Sequence, residues 1–224
     1  MSNRLTFETD DKVAIITLDD GKANAMGFDM LEALNDAIDQ AERDCAAVVL
    51  LGRPGVLSGG FDLKVINGGD DGEIDRMINL GVRTMMRLYG LSIPLVAVAT
   101  GHAVALGAFI LLASDYRFGC AGDFKVGLNE TAIGLTFPAF GIELAQARLS
   151  PRFLTQSAIS ARLFSPDEAV EVGFLDAVVA AERLRDDAVR HAHEMSALDA
   201  HAFNVTKQAF RGAAIERVLS GLAA

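Results

Sequence analysis

Tryptophan is absent from this 224-residue chain, and cysteine, tyrosine, histidine and proline are scarce, at 2, 2, 4 and 5 residues. Each shortage removes a class of explanation. Cys45 and Cys120 lie far apart with no CxxC spacing, so neither a disulfide framework nor a cysteine zinc site is signalled, and a reducing cytoplasm is the simplest location. His191 and His193 are two residues apart on an expected helix and point in different directions, which is poor geometry for a shared metal. His102 has no serine or cysteine nucleophile motif beside it, and no phosphate-binding glycine loop, dinucleotide fingerprint or G-x-S-x-G elbow occurs. Long apolar runs are missing too: residues 103–113 fall short of the ~20 residues of a membrane span. The opening MSNRLTFETD lacks the basic and apolar regions of a signal peptide. Basic charge is in deficit, and the net charge of −10 argues against broad binding to nucleic acid while leaving room for a local basic pocket.

What the chain does have is apolar residues, 51% of the total, enough for a sizeable core in one domain. Residues 5–18 alternate as a hairpin turning at Asp10 and Asp11. Phe28, Leu31, Leu34 and Ile38 recur at helical spacing, and the run AAVVLL at 46–51 suits a strand buried on both faces. The following GRPGVLSGGFDLKVINGGDDG is punctuated by glycine. Gly59-Gly60 suits a tight turn before Phe61, and Gly68 to Gly72 has the composition of a mobile loop. A second helix is predicted over 74–89, a strand after Pro94, then a buried-looking helix and a strand through Cys120. Beyond Pro138 the pattern is mostly helical, with a capped start at Ser165-Pro166-Asp167-Glu168, a stop at Gly173 and a short extended piece at 174–179. Alternation of this kind predicts an α/β protein.

Residues 101–138 organise the rest, because they place a buried-looking helix, a strand and one carboxylate, Glu130, close together in the chain. Taken alone, a glutamate flanked by glycine and asparagine is usually a solvated side chain, and Phe61, Phe109, Phe137 and Phe140 are ordinary core residues. Four motifs in order change that weighting: Lys22-Ala23-Asn24-Ala25, Ser58-Gly59-Gly60-Phe61-Asp62-Leu63-Lys64, the segment 101–115, and SPDEAVEVGFLDAVV at 165–179. With them the chain resembles the crotonase superfamily of enoyl-CoA hydratases and isomerases. Within it, Gly127-Leu128-Asn129-Glu130-Thr131 and the following Ile133-Gly134-Leu135 are most similar to the Δ3,Δ2-enoyl-CoA isomerases.

The resemblance implies a crotonase-like ββα spiral core over 1–160 and a helical, shortened C-terminal region over 161–224, together one domain. It implies that Glu130 is a catalytic base, and that the backbone N–H groups of Phe61 and Leu106 hold an oxyanion. Hydratases of the family keep a second glutamate where this chain has Phe109. Moving a double bond needs one base to shuttle one proton, whereas adding water calls for more, so the expected reaction is conversion of 3-enoyl-CoA to 2-enoyl-CoA. The chain departs from the family at Ala105-Leu106-Gly107, where a glycine-rich turn is expected. Leu106 resists positive φ and fits only if its backbone is near helical geometry.

Coenzyme A is implied as part of the substrate, with no permanently bound cofactor and no metal. Its contacts are carried over to Lys22, Ala23, Ala25, Gly60, Asp62, Leu63 and Lys64, with Phe109 and Phe137 lining the acyl pocket. Lys22 and Lys64 are candidates for phosphate contact. The expected assembly is a homotrimer or a dimer of trimers, although the C-terminal region is shorter than the family's. Hydration of acyl-CoA and non-catalytic acyl-CoA binding remain open as rival functions, and neither nucleic acid nor membrane is an expected partner.

Overall fold

Alternation along residues 5–18 produces the hairpin, and the computed structural model, which describes residues 4–222, shows what that hairpin joins. Strands β1 (Leu5–Asp10) and β2 (Val13–Leu18) pair antiparallel around Asp11, whose φ of 50° makes the turn. Helix α1 (Phe28–Asp44) buries Met30, Leu31, Leu34, Ala37, Ile38 and Ala41 along one stripe. Strand β3 (Ala47–Gly52) is buried along its whole length.

The glycine-punctuated segment is structured, contrary to its composition. It forms β4 (Gly55–Ser58), α2 (Leu63–Gly68) and the start of α3 (Asp71–Tyr89). Two aspartates explain the difference. Asp62 accepts the Lys64 amide at 2.9 Å and Asp70 accepts the Glu73 amide at 2.8 Å, so both cap helices instead of charging a loop.

Strands β5 (Leu95–Ala99) and β6 (Gly101–Val104) then lead to α4 (Leu106–Ala113), β7 (Tyr116–Cys120) and the two-residue β8 (Val126–Gly127). The remaining elements are α5 (Ala139–Arg148), α6 (Pro166–Val172), β9 (Ala177–Val179), α7 (Ala181–Ser196) and α8 (Ala200–Ser220). Helix α6 begins with the Ser165–Glu168 capping box and stops at Gly173, whose φ is 103°.

Two sheets result. The larger has the order β1-β2-β3-β5-β7-β9, parallel except for the hairpin, and the smaller has the order β4-β6-β8. Strand β3 is apolar throughout because both faces are covered. Val48 and Leu50 join the core with α1 and α3, while Val49 and Leu51 meet Leu184, Ala188 and Ala192 of α7. Asp115, at the start of β7, ties α8 to this body: it accepts Lys207 Nζ at 2.7 Å, Arg211 Nη1 at 2.9 Å and the Leu95 amide at 2.8 Å. Burial outweighs the Asp115 charge and lowers the Lys207 amine to about 8. No helix among the described residues is long and apolar enough to cross a membrane.

Candidate active site

Three short parallel strands set the geometry. In the smaller sheet Gly55 and Ser58 of β4 face Gly101 and Ala103 of β6, and Ala103 and Val104 face Val126 and Gly127 of β8. Because all three run the same way, the chain leaves them at one edge, through Gly59-Gly60-Phe61, Ala105-Leu106 and Leu128-Asn129-Glu130. Ligands of parallel α/β sheets bind at this carboxyl edge.

The first turn is fixed from below by two buried polar residues. Asn24, fully buried at φ 50°, donates to the carbonyls of Leu18 and Leu57, both at 3.0 Å. Ser58 Oγ donates to the Asn24 carbonyl at 2.7 Å and accepts the Gly60 amide at 3.1 Å. Gly60 turns at φ 112°, a conformation that disfavours any side chain. Met26 and Phe61 then form a parallel bridge through Met26 N–H to Gly60 C=O and Asp62 N–H to Met26 C=O. In that pattern the Phe61 N–H points away from Met26.

The second turn lies close by, for a Cβ on Gly60 would lie 3.0 Å from Ala105 Cβ and 3.8 Å from the Leu106 nitrogen. Leu106 is the first residue of α4 and takes helical geometry without strain. The positive φ falls one residue earlier, on Ala105, at φ 51° and ψ −122°. Neither the Phe61 nor the Leu106 amide donates to a backbone acceptor among the described residues. Close approach holds the pair together. A Cβ on Gly107 would sit 2.3 Å from the Ser58 carbonyl oxygen, and one on Gly81 of α3 would sit 2.5 Å from the Phe61 ring.

Glu130 leaves β8 on the same edge and is only 7% exposed. Its Oε2 is buried with no hydrogen-bond partner among the described residues. Burial raises the carboxyl above the ordinary glutamate value, partly opposed by a backbone hydrogen bond. Helix α4, LGAFILLA, carries no titratable side chain. Phe109 is buried in an aromatic cluster, 5.8 Å from Phe137 and 4.7 Å from Phe140 between ring centroids. A Cβ on Gly141 would meet the Phe109 ring at 2.7 Å, so that glycine makes room for the cluster. A desolvated carboxylate that shares a sheet edge with two unengaged amides suits a reaction in which a proton is taken while negative charge settles on a neighbouring oxygen.

The other sequence candidates form a rim beside the first turn. Lys22, Ala23, Leu63 and Lys64 are exposed, and Ala25 and Asp62 half-buried. Several of their backbone groups are already engaged. Asp20 accepts the amides of Lys22, Asn24 and Ala25 at 2.7–3.0 Å, while the carbonyls of Lys22 and Ala23 accept Arg53 Nε and the Gly59 amide. Burial pushes the Asp20 carboxyl up, but these three amides prevail and hold it below its ordinary value. A cleft of about 170 Å³ lies here, with Arg4, Ala25, Gly27, Asp62 and Val65 in its walls. Asn24, Ser58, Gly81, Ala105 and Gly107 position the site and were given no role from sequence. Asn24 and Ser58 were signalled only as members of motif segments, Ala105 and Gly107 only as flanking the departure at Leu106, and Gly81 not at all.

A small parallel sheet that delivers a glycine turn, a helix N-terminus and a desolvated carboxylate to one edge, joined to a larger α/β sheet, defines a crotonase-fold protein. The chain matches the family model for enoyl-CoA hydratase/isomerase over residues 8–223, and it belongs to that family. A crystal structure of an enoyl-CoA hydratase/isomerase family protein from Pseudomonas syringae superposes with a TM-score of 0.92 at 40% identity, covering 99% of each chain. An enoyl-CoA hydratase from Mycobacterium ulcerans gives 0.94 at 37% identity, covering 98% of this chain and 96% of that one. The human mitochondrial enoyl-CoA delta isomerase 1 is 27% identical over 212 residues, 93% of this chain and 70% of its own length. Proteins named for either reaction are thus similar to this one, and the choice between them falls to the site.

Proposed function

We propose that this protein moves the double bond of a 3-enoyl-CoA into conjugation, giving the 2-enoyl-CoA, with Glu130 as its one base. The carboxylate breaks the C2–H bond of the thioester, and the electron pair spreads into a dienolate. The thioester oxygen takes the charge and is held by the Phe61 and Leu106 amides, with the α4 N-terminus adding its favourable dipole. The same carboxyl then returns the proton at C4. The observation that carries this reading is Phe109: the helix facing the site offers an aromatic cluster and no second carboxylate.

Coenzyme A enters as part of the substrate, and no cofactor is held permanently. The exposed Lys22 and Lys64 flank the rim and suit its phosphates, while the cleft by Ala25 and Asp62 receives part of the handle. Gly60, Ala23 and Leu63 supply close backbone approach, and Phe109 and Phe137 line the acyl side. The proposed assembly is a homotrimer or dimer of trimers, supported by exposed Phe210, Leu198, Ile133 and Leu135. Sedimentation should give the mass of three or six chains, and a monomer at working concentration would remove it.

A second reading, hydration of 2-enoyl-CoA, is favoured by the likeness to the M. ulcerans hydratase. Purified protein incubated separately with 3-hexenoyl-CoA and 2-hexenoyl-CoA decides between them. Conjugated product from the first, with little 3-hydroxyacyl-CoA from the second, is the expected outcome. Rapid hydration of the second defeats the one-base account, and tight binding with turnover of neither points to an acyl-CoA-binding protein.

A further inference from the structure

Ala105 holds a backbone conformation that alanine avoids, and the reading of the site above gives its side chain no role. At φ 51° and ψ −122° it occupies a region that glycine enters freely and other residues enter only under constraint. Three parts of the site meet on it. Its amide donates to the Gly127 carbonyl at 3.1 Å, tying it to the strand that carries Glu130. Its carbonyl accepts the amides of Ala108 and Phe109 at 2.9 and 3.1 Å, which sets the first turn of α4 and so the direction of the Leu106 N–H. Its methyl lies 3.0 Å from where a Gly60 Cβ would be, so it fills the space beside the turn that presents Phe61.

Glycine at position 105 would remove the strain and keep all three hydrogen bonds, but it would also remove the methyl and free the backbone. The methyl is therefore the one part of Ala105 whose presence the local conformation does not explain. We propose that Ala105 is a positioning residue whose methyl, filling the space beside Gly60, sets the separation of the Phe61 and Leu106 amides, and that the strained backbone is retained for that spacing. The inference rests on the oxyanion role proposed above for those two amides. It adds a determinant of turnover that lies in a side chain touching no substrate.

The consequence is a separation of stability from rate. Ala105→Gly relieves an unfavourable φ, so the variant should unfold at the wild-type temperature or higher. With the spacing no longer fixed, kcat should fall about 10- to 100-fold, the size of effect expected when reacting groups are misplaced by a fraction of an ångström to an ångström. KM should stay near the wild-type value, since the handle is bound elsewhere.

The test measures thermal unfolding, kcat and KM for isomerisation, and deuterium uptake at C2 of 3-hexenoyl-CoA in D2O, for wild type, Ala105→Gly and Ala105→Ser. Exchange reports enolate formation whichever product follows. The proposal expects the glycine variant to be at least as stable as wild type and slow in both exchange and turnover, and the serine variant, which keeps a Cβ, to recover most of the rate. A glycine variant with wild-type rates overturns it, as does one that is less stable than wild type, or a serine variant as slow as the glycine one. Absence of exchange in the wild type would instead overturn the oxyanion reading on which it rests.

Discussion

Replacing Glu130 by glutamine is expected to cut isomerisation about 10²- to 10⁴-fold, the usual contribution of a general base, and at the same time to stabilise the fold at neutral pH. The first effect follows from the site holding one carboxylate: α4 has no titratable residue to take over. The second follows from burial. Glu130 has a folded pKa above its unfolded value, so its contribution to stability is fully present below the unfolded value and is lost as pH rises through the folded one. Once ionised, the group is held against its solvation, with Oε2 unpartnered, and glutamine removes that cost. A gain of about 1 kcal/mol would raise the midpoint by ~2–4 °C in a chain of this size. In the wild type, turnover should climb with pH through a value above the ordinary glutamate range. A glutamine variant retaining a substantial share of the rate, or a loss of stability at pH 7, would sink this account.

Gly107→Ala should be the most damaging single methyl in the site. Its Cβ would lie 2.3 Å from the Ser58 carbonyl oxygen, 3.0 Å from the Ser58 carbonyl carbon and 3.1 Å from Ser58 Cβ, so backbone must move. Ser58 in turn holds the Gly60 amide and the Asn24 carbonyl, which passes the displacement to the turn presenting Phe61. A loss of about 1–3 kcal/mol in unfolding free energy is expected from overpacking. A fall of about 10²–10³ in kcat is expected from a misplaced oxyanion donor. Gly212→Ala on α8 is the control, because a Cβ there meets only Gln208 Oε1 at 4.0 Å. It should gain a few tenths to about 1 kcal/mol from helix propensity and leave kcat unchanged. Chemical denaturation and steady-state assays of the two variants check both expectations, and a Gly107→Ala protein with normal kcat would separate α4 from the reaction.

Much of the larger sheet was legible because its strands are long enough to carry a pattern. Residues 5–18 alternate, and β3 is apolar without interruption because both of its faces are covered. The capped start at Ser165 and the stop at Gly173 were equally readable, since caps are local chemistry. The smaller sheet was not. Strands of four, four and two residues carry no period, and β4 hides inside a glycine-rich segment whose composition argues for a loop. The caps at Asp62 and Asp70 were present in the sequence, but an aspartate beside glycines serves a helix start or a turn equally well.

The same division runs through the site. Sequence by itself determined the inventory: one carboxylate in the organising stretch, glycines before Phe61, an apolar helix, and phenylalanine at the position where a second acid would stand. The first three follow from residue type, which needs no partner to be read, and the last from the resemblance to the family. Only the tertiary structure decided that β4, β6 and β8 run parallel and release their chains at one edge, bringing Phe61, Leu106 and Glu130 from three separate segments to that edge. It also moved the strained position from Leu106 to Ala105 and gave Gly81 and Gly107 their purpose. The physical reason is that desolvation and close approach belong to pairs of surfaces. A carboxyl is raised by what buries it, and a glycine is required by what passes over it.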